Sequence, residues 1–223
     1  MSFYTLAQIK QKIQQPLDLE EEIFIRPEEL LEFINDAIRE AEAIILDLSE
    51  DYFLTKVNIP LTAGVSEYTL PADIYGSKIR GLVYDDGSTT HQVKRIRRFT
   101  EIPWLDNYTQ YRFLLTNDAT NGVKMTLYPA AQITSSTALT CYYIRNAKQL
   151  VNDTDVCDIP EFVSYIIQHA KVSCMQKEGN PLLMDAQAKL DKLTDLMEAT
   201  LKDKIIDEDN TITMDLTSYE EST

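Results

Sequence analysis

Few residues in this chain have types and spacings that suit catalysis. There are two histidines. His91 falls beside a turn signal. His169 sits on a helical stretch, with Lys171 and Ser173 near it in sequence and no acid or thiol placed to form an activated pair. A lone histidine on a helix is read as packing. No GxSxG, HExxH, phosphate-loop or GxGxxG string occurs, and six glycines leave little to build a phosphate-cradling loop. Cys141, Cys157 and Cys174 are widely spaced in apolar or mixed runs. They lack a zinc spacing, and their odd number argues against a secreted disulfide framework, so they read as small buried hydrophobes in a reducing compartment. Glu20, Glu21 and Glu22 are adjacent, and neighbouring carboxylates on a helix or loop do not converge on a metal. The sequence therefore offers no catalytic residue, metal ligand or cofactor site, and the chain reads as a non-enzyme. The one enzymatic alternative, a β-barrel hydrolase, would have only carboxylates and His91 to work with.

Charge offers more. The one cationic concentration is Lys94, Arg95, Arg97 and Arg98, with Lys78 and Arg80 expected on the facing arm of a hairpin. Such a strip can meet DNA phosphates or the acidic surface of another subunit, or it is simply a solvated strand face. A net charge of −15 argues against a protein that grips nucleic acid over its surface, since phosphate binding needs clustered Lys and Arg. It fits an acidic wall past which DNA slides, or a strip that pairs with a copy of the chain. A nucleic-acid-binding module built on Lys94–Arg98 stays as the alternative reading. At the other extreme, Asp207–Thr223 holds six acidic residues and no Lys or Arg. Within it Ile212, Met214 and Leu216 alternate with polar residues, the pattern of a strand with no hairpin partner. It is either a disordered acidic tail or an arm that pairs as an added strand on another protein.

The elements that must position these residues follow from periodicity. Leu30, Leu31, Ile34, Ala37, Ile38, Ala41, Ile44, Ile45 and Leu48 recur at spacings of three and four, which predicts a helix over Pro27–Leu48 with one buried face. Pro27 suits its first position, and Glu28 and Glu29 suit the positive end of the helix dipole. Phe3, Leu6, Ile9 and Ile13 predict a short helix ending before Pro16, followed by a solvated acidic linker over 17–25. After Leu48 the period changes to that of strands. Tyr52–Pro60 and Glu67–Leu70 flank a Gly64 turn, and Asp85-Asp86-Gly87-Ser88 marks a hairpin whose second arm is irregular at Val93 and Ile96, predicting a bulge or an edge. Phe99–Asn107, with Trp104, reads as a short helical turn or loop. Tyr111–Thr116 and Val123–Tyr128 form a second hairpin around Asn121-Gly122, and Ala138–Arg145 is a last strand. From Pro160 helices return: a stripe from Phe162 to Cys174, a left-handed stop at Gly179, and a second helix opened by Asn180 and Pro181.

Long helical faces at both chain ends need each other, so the middle is held as an insertion. The expected fold is α+β: a discontinuous helical bundle of N- and C-terminal helices (1–51 and 155–206), an inserted antiparallel β barrel or sandwich (52–154), and an extended acidic C-terminal arm (207–223). No 18-residue apolar run and no signal-peptide core occur, so neither membrane insertion nor signal-peptide export is expected.

The helix–β–helix order carries a resemblance, together with Tyr68-Thr69-Leu70-Pro71-Ala72-Asp73 leading into Ile79–Gly87. Leu127-Tyr128-Pro129-Ala130 before the Tyr142-Tyr143 strand, and Asp158-Ile159-Pro160-Glu161 opening the last helical pair, add to it. Over roughly residues 28–205 the chain resembles head-to-tail adaptor (connector, tail-tube ring) proteins of tailed bacteriophages. The resemblance implies a structural virion protein of the neck or tail, assembled in the host cytoplasm. Its subunits would form a homo-oligomeric ring, usually a dodecamer, under the portal protein. The ring would extend the DNA channel, let double-stranded DNA pass without specific binding during ejection, and offer the attachment surface for other tail and neck proteins. The arm, anchored by Ile212, Met214 and Leu216, would reach the portal. The first 26 residues and the basic strip have no counterpart in the resemblance.

Overall fold

The computed structural model describes residues 3–17, 25–85, 87–97, 111–118 and 122–209, without the side chains of 118 and 204–209. Among these residues the chain is α+β, with four α-helices and two four-stranded sheets. It divides into two compact units, Met1–Ser49 with Ala147–Thr223, and Glu50–Asn146.

The helical unit holds α1 (Leu6–Leu17), α2 (Pro27–Leu48), α3 (Val163–Glu178, after a 3-10 turn at Pro160–Phe162) and α4 (Leu183–Asp209). α2 starts at Pro27, where the missing N–H costs nothing, and the Glu29 carboxylate accepts the Arg26 N–H at 3.0 Å. Leu30, Ile34, Ala37, Ile38, Ala41 and Ile45 are buried at helical spacing, while Leu31, Ile44 and Leu48 are half-buried at the margins of that face. α3 packs against α1, α2 and α4, which explains why Tyr165, Gln168 and Val172 are buried outside its expected stripe. Gln168 Nε2 donates to the Ala186 carbonyl at 2.9 Å, tying α3 to α4. Gly179 ends α3 at φ +67°, and the Asn180 N–H returns to the Met175 carbonyl at 3.0 Å. Asn180 Oδ1 accepts the Leu182 N–H, so α4 begins two residues beyond the expected Pro181.

Three details of this unit differ from the periodicity. α1 runs through Pro16 to Leu17 instead of stopping short of it. A proline in the last turn deletes one terminal hydrogen bond rather than breaking a continuing ladder. Phe3 is exposed, and α1 is opened by Thr5 and Gln8, whose side chains and N–H groups cap one another at 3.0 and 3.4 Å. α4 extends to Asp209, so residues 207–209 are helical and not part of an extended arm. The arm's anchors Ile212, Met214 and Leu216 lie outside the described residues, as do most of the acidic linker (18–24) and the stretch around Trp104.

Residues 147–159 carry no regular structure yet are tied to the helices throughout. Leu6 and Ala7 N–H groups donate to the carbonyls of Asp155 and Asp153, and Cys157 N–H donates to the Tyr4 carbonyl. Asn35 on α2 exchanges two hydrogen bonds with the Leu150 backbone, at 3.0 and 2.9 Å. Buried Glu42 accepts the Ala147 N–H at 2.7 Å. These bonds place 147–154 with the helices, where the sequence pattern carries the β-region to 154.

In the β-unit one sheet has the order β1-β8-β3-β4 and the other β2-β7-β6-β5. The strands are β1 (Leu54–Leu61), β2 (Glu67–Thr69), β3 (Ile74–Asp85), β4 (Thr90–Gln92), β5 (Lys94–Arg95), β6 (Arg112–Asp118), β7 (Gly122–Tyr128) and β8 (Ser135–Arg145). One apolar cluster draws on both sheets, with Leu82, Tyr84, Leu139 and Cys141 from the first and Phe113, Met125 and Leu127 from the second. The sheets do not close into a barrel: β1 and β4 are the edges of one, β2 and β5 of the other. Pro60, which has no N–H to give, sits on edge strand β1 where the register with β8 shifts. The two hairpins form at their turn signals. Gly87, at φ +87°, donates its N–H to Asp85 Oδ1, and Gly122, at φ +74°, opens β7 opposite Asp118. One pair departs from the antiparallel expectation, since β5 runs parallel to β6.

Candidate functional site

The irregular arm after the first hairpin is where the chain changes sheets. Gln92 still pairs with Val83, and the Val93 N–H donates to the Leu82 carbonyl at 2.8 Å. One residue later Lys94 donates to Tyr111, and Ile96 donates to Phe113 at 2.7 Å, both on the other sheet. The three-residue spacing of Val93 and Ile96 is thus a crossing from one sheet edge to the other rather than a bulge. Both side chains are buried, and their anchoring turns Lys94, Arg95 and Arg97 outward.

The crossing leaves a groove of about 780 Å³ between β3 and residues 92–97. Leu82, Val93, Ile96 and Phe113 form its apolar lining, and Arg80, Lys94, Arg95 and Arg97 supply its cations. Lys78 and Arg80 lie on β3, the arm that pairs with β4 in the hairpin, but both are engaged by carboxylates of their own chain. The Arg80 guanidinium binds Glu50, and its Nε lies 2.7 Å from Asp51, while Lys78 Nζ reaches Glu50 at 3.5 Å. Those bonds hold the Glu50 carboxyl below its usual range, through Arg80 first and Lys78 second. Glu50 and Asp51 lie in the turn before β1, so only folding brings them to β3. Lys94, Arg95 and Arg97 are the exposed cations the groove retains, and Arg98 lies outside the described residues. Such a surface, cationic at its rim and apolar beneath, suits an extended acidic or phosphate-bearing partner.

The described cysteines and histidines are packing groups. Burial pushes the thiols of Cys141 and Cys157 up to about 11 and that of Cys174 up to about 12, away from the depressed values of reactive thiolates. Burial pushes the His169 imidazole down against the opposing pull of Glu40 and Asp36, and its ring lies 5.9 Å from that of Tyr165. His91 packs against the rings of Tyr84 and Tyr111. Among the described residues no group of three or more His, Cys, Asp or Glu converges, and no helix is long and apolar enough to cross a membrane.

The model of a family described as SU10 adaptor protein matches residues 4–214. No curated protein matches the chain.

Proposed function

The chain belongs to the SU10 adaptor protein family, a family of phage head-to-tail adaptors, and from that membership we propose that it is the subunit of a neck ring seated under the portal. The observation that carries this reading is the family match, which spans both units and almost the whole chain. In it the helices form a discontinuous bundle, and the β-unit is an inserted domain presented to neighbouring copies. The ring is twelvefold, extends the DNA channel without binding DNA specifically, and offers its outer end to other tail and neck proteins. Assembly takes place in the host cytoplasm, and the protein has no catalytic step of its own. The arm begins after Asp209, where α4 ends, and Ile212, Met214 and Leu216 are its portal anchors. Lys94, Arg95, Arg97 and Arg98 make a contact between subunits, where the groove's cations meet the acidic surface of the next copy.

Electron microscopy of the protein mixed with its portal tests the reading. A ring in axial register with the portal is expected, and failure to bind the portal overturns it. Removing residues 210–223 separates the arm from the ring. The truncated protein keeps its fold and loses portal attachment, and undiminished attachment refutes the arm assignment. The exposure of Lys94, Arg95 and Arg97 supports a second reading, a nucleic-acid-binding strip. That reading requires DNA affinity that falls steeply with salt and disappears in R95E/R97E.

A further inference from the structure

A second cationic groove lies in the helical unit, built from residues that no local pattern connects. Lys12 comes from α1, Lys171 from α3 and Lys189 from α4, and together they line an opening of about 540 Å³. Ser164 contributes a hydroxyl and Gln15 an amide, while Ile167 and Leu193 form apolar wall. Among the described residues no carboxylate lines it, although the chain carries 36 acidic residues against 21 basic ones. Among the described residues, none of the three lysines has a carboxylate within ion-pairing distance, whereas neighbouring Lys10 on α1 is bound to Asp153 at 2.7 Å. Lys12 rests over the Tyr4 ring.

Three like charges brought together without a counter-charge repel one another, and a wall that excludes water strengthens the repulsion. Lys171 shows the effect: burial first, then Lys189 and Lys12, push its ammonium below its ordinary value. An external anion is what relieves such an arrangement. Ammonium groups are compact point charges with rotatable donors, and they bind phosphate oxygens without needing the planar geometry of a guanidinium fork. All three cations here are lysines, and the neutral donors beside them are of the kind that complete phosphate contacts.

We propose that the groove formed by Lys12, Lys171 and Lys189 across α1, α3 and α4 is a binding site for phosphate groups, presented as a polyphosphate chain or a nucleic-acid backbone. The site is separate from the Lys94–Arg97 strip and does not depend on the ring reading.

The test uses the full chain in low-salt buffer, with inorganic tripolyphosphate and a short DNA duplex as probes in calorimetric titrations. Tripolyphosphate binds, and K12Q/K171Q/K189Q weakens it about tenfold or more, the scale of one or two lost charge-assisted contacts. K94Q/R95Q/R97Q leaves it unchanged. If the duplex also binds through the three lysines, its affinity falls with a log–log salt slope of about −2.7 for three phosphate contacts, and the site takes a nucleic-acid backbone. If tripolyphosphate alone binds there, the site takes a free phosphate anion. The exposed single variant K189Q, with its thermal melt compared to the parent, carries the test should the triple variant misfold, and a several-fold loss is expected. No binding of either probe, or binding indifferent to K189Q and to the triple variant, overturns the proposal. So does a synthetic peptide of residues 207–223 that binds the lysines while tripolyphosphate does not, which would make the groove a dock for acidic protein segments.

Discussion

Glu42 offers a quantitative probe of how the helical unit is closed. It lies on the flank of α2, is 8% exposed, and its Oε1 accepts the N–H of Ala147, itself 4% exposed, at 2.7 Å. Ala147 is where the chain returns from the β-unit, 105 residues later in sequence. Glu42→Ala leaves a buried N–H without its acceptor and removes a charge-assisted bond, a loss of about 2–3 kcal/mol. Glu42→Gln keeps a carbonyl oxygen in the same place and costs about 1 kcal/mol. Glu32→Ala, on an exposed face of the same helix, changes stability by less than about 0.5 kcal/mol. Guanidinium unfolding followed by circular dichroism ranks the three, and in thermal melts E42A falls by about 5–10 °C at this chain length. The reasoning fails if E42A matches E32A. It also fails if E42Q is as harmful as E42A, because the position of the acceptor would then not matter.

The remaining predictions concern the loop after Ala147 and the α3–α4 turn. Asp155 accepts the N–H groups of Asn152 and Val151 at 2.8 and 2.9 Å and Lys148 Nζ at 3.2 Å. These bonds hold its carboxyl down to about 2, against an ordinary 3.8. A carboxyl with a depressed folded pKa stabilises fully above its unfolded value and loses that contribution as pH falls through the folded one. The melting temperature of the parent therefore drops more between about pH 4 and pH 2 than that of Asp155→Asn, and parallel curves would refute the assignment. Gly179→Ala places a side chain at φ +67° and costs about 1–2 kcal/mol. Gly81→Ala, with no positive φ and its nearest neighbour 3.9 Å away, costs less than half of that, and equal losses in chemical unfolding would show that the left-handed turn is not the reason.

Local features were legible in the sequence, and distant pairings were not. Pro27, Glu28-Glu29 and the three–four spacing of the apolar residues set the bounds of α2, because each acts within one or two turns. Gly179 announced its own backbone, and Gly87 and Gly122 marked turns that only a positive φ satisfies. Alternation in the middle of the chain named the strands but left closure open. It says which side of a strand is apolar, while barrel or paired sheets depends on which edges meet. The crossing at Val93 showed only as a broken period, since the partners that explain it, Leu82 and Phe113, lie far apart in sequence. The capture of Arg80 and Lys78 by Glu50 and Asp51 left no local trace, and neither did the meeting of Lys12, Lys171 and Lys189. Residues 147–154 misled because a stretch without periodicity looks like a continuation of the strand region, although Asn35 and Glu42 bind it to α2.

The topology explains why a β-unit can sit inside a helical chain. β1 and β8 are neighbours, paired antiparallel from Leu54 opposite Ile144, and the Arg145 N–H donates to the Phe53 carbonyl at 3.2 Å. The insertion is thus entered and left through adjacent strands at one end of one sheet. The helical unit holds its own two ends together through Glu42 and Ala147, and loop-closure entropy rises only slowly with the length inserted. Charge then constrains what the assembled chain can do. Two copies at −15 each repel at long range, so any ring must be closed by short-range contacts that act within a Debye length. Among the described residues the gathered cations lie in two grooves, one per unit. With Arg80 neutralised by its own chain, Lys94, Arg95 and Arg97 are the described cations of the β-unit groove left to answer an acidic partner, and any binding there should weaken as salt rises.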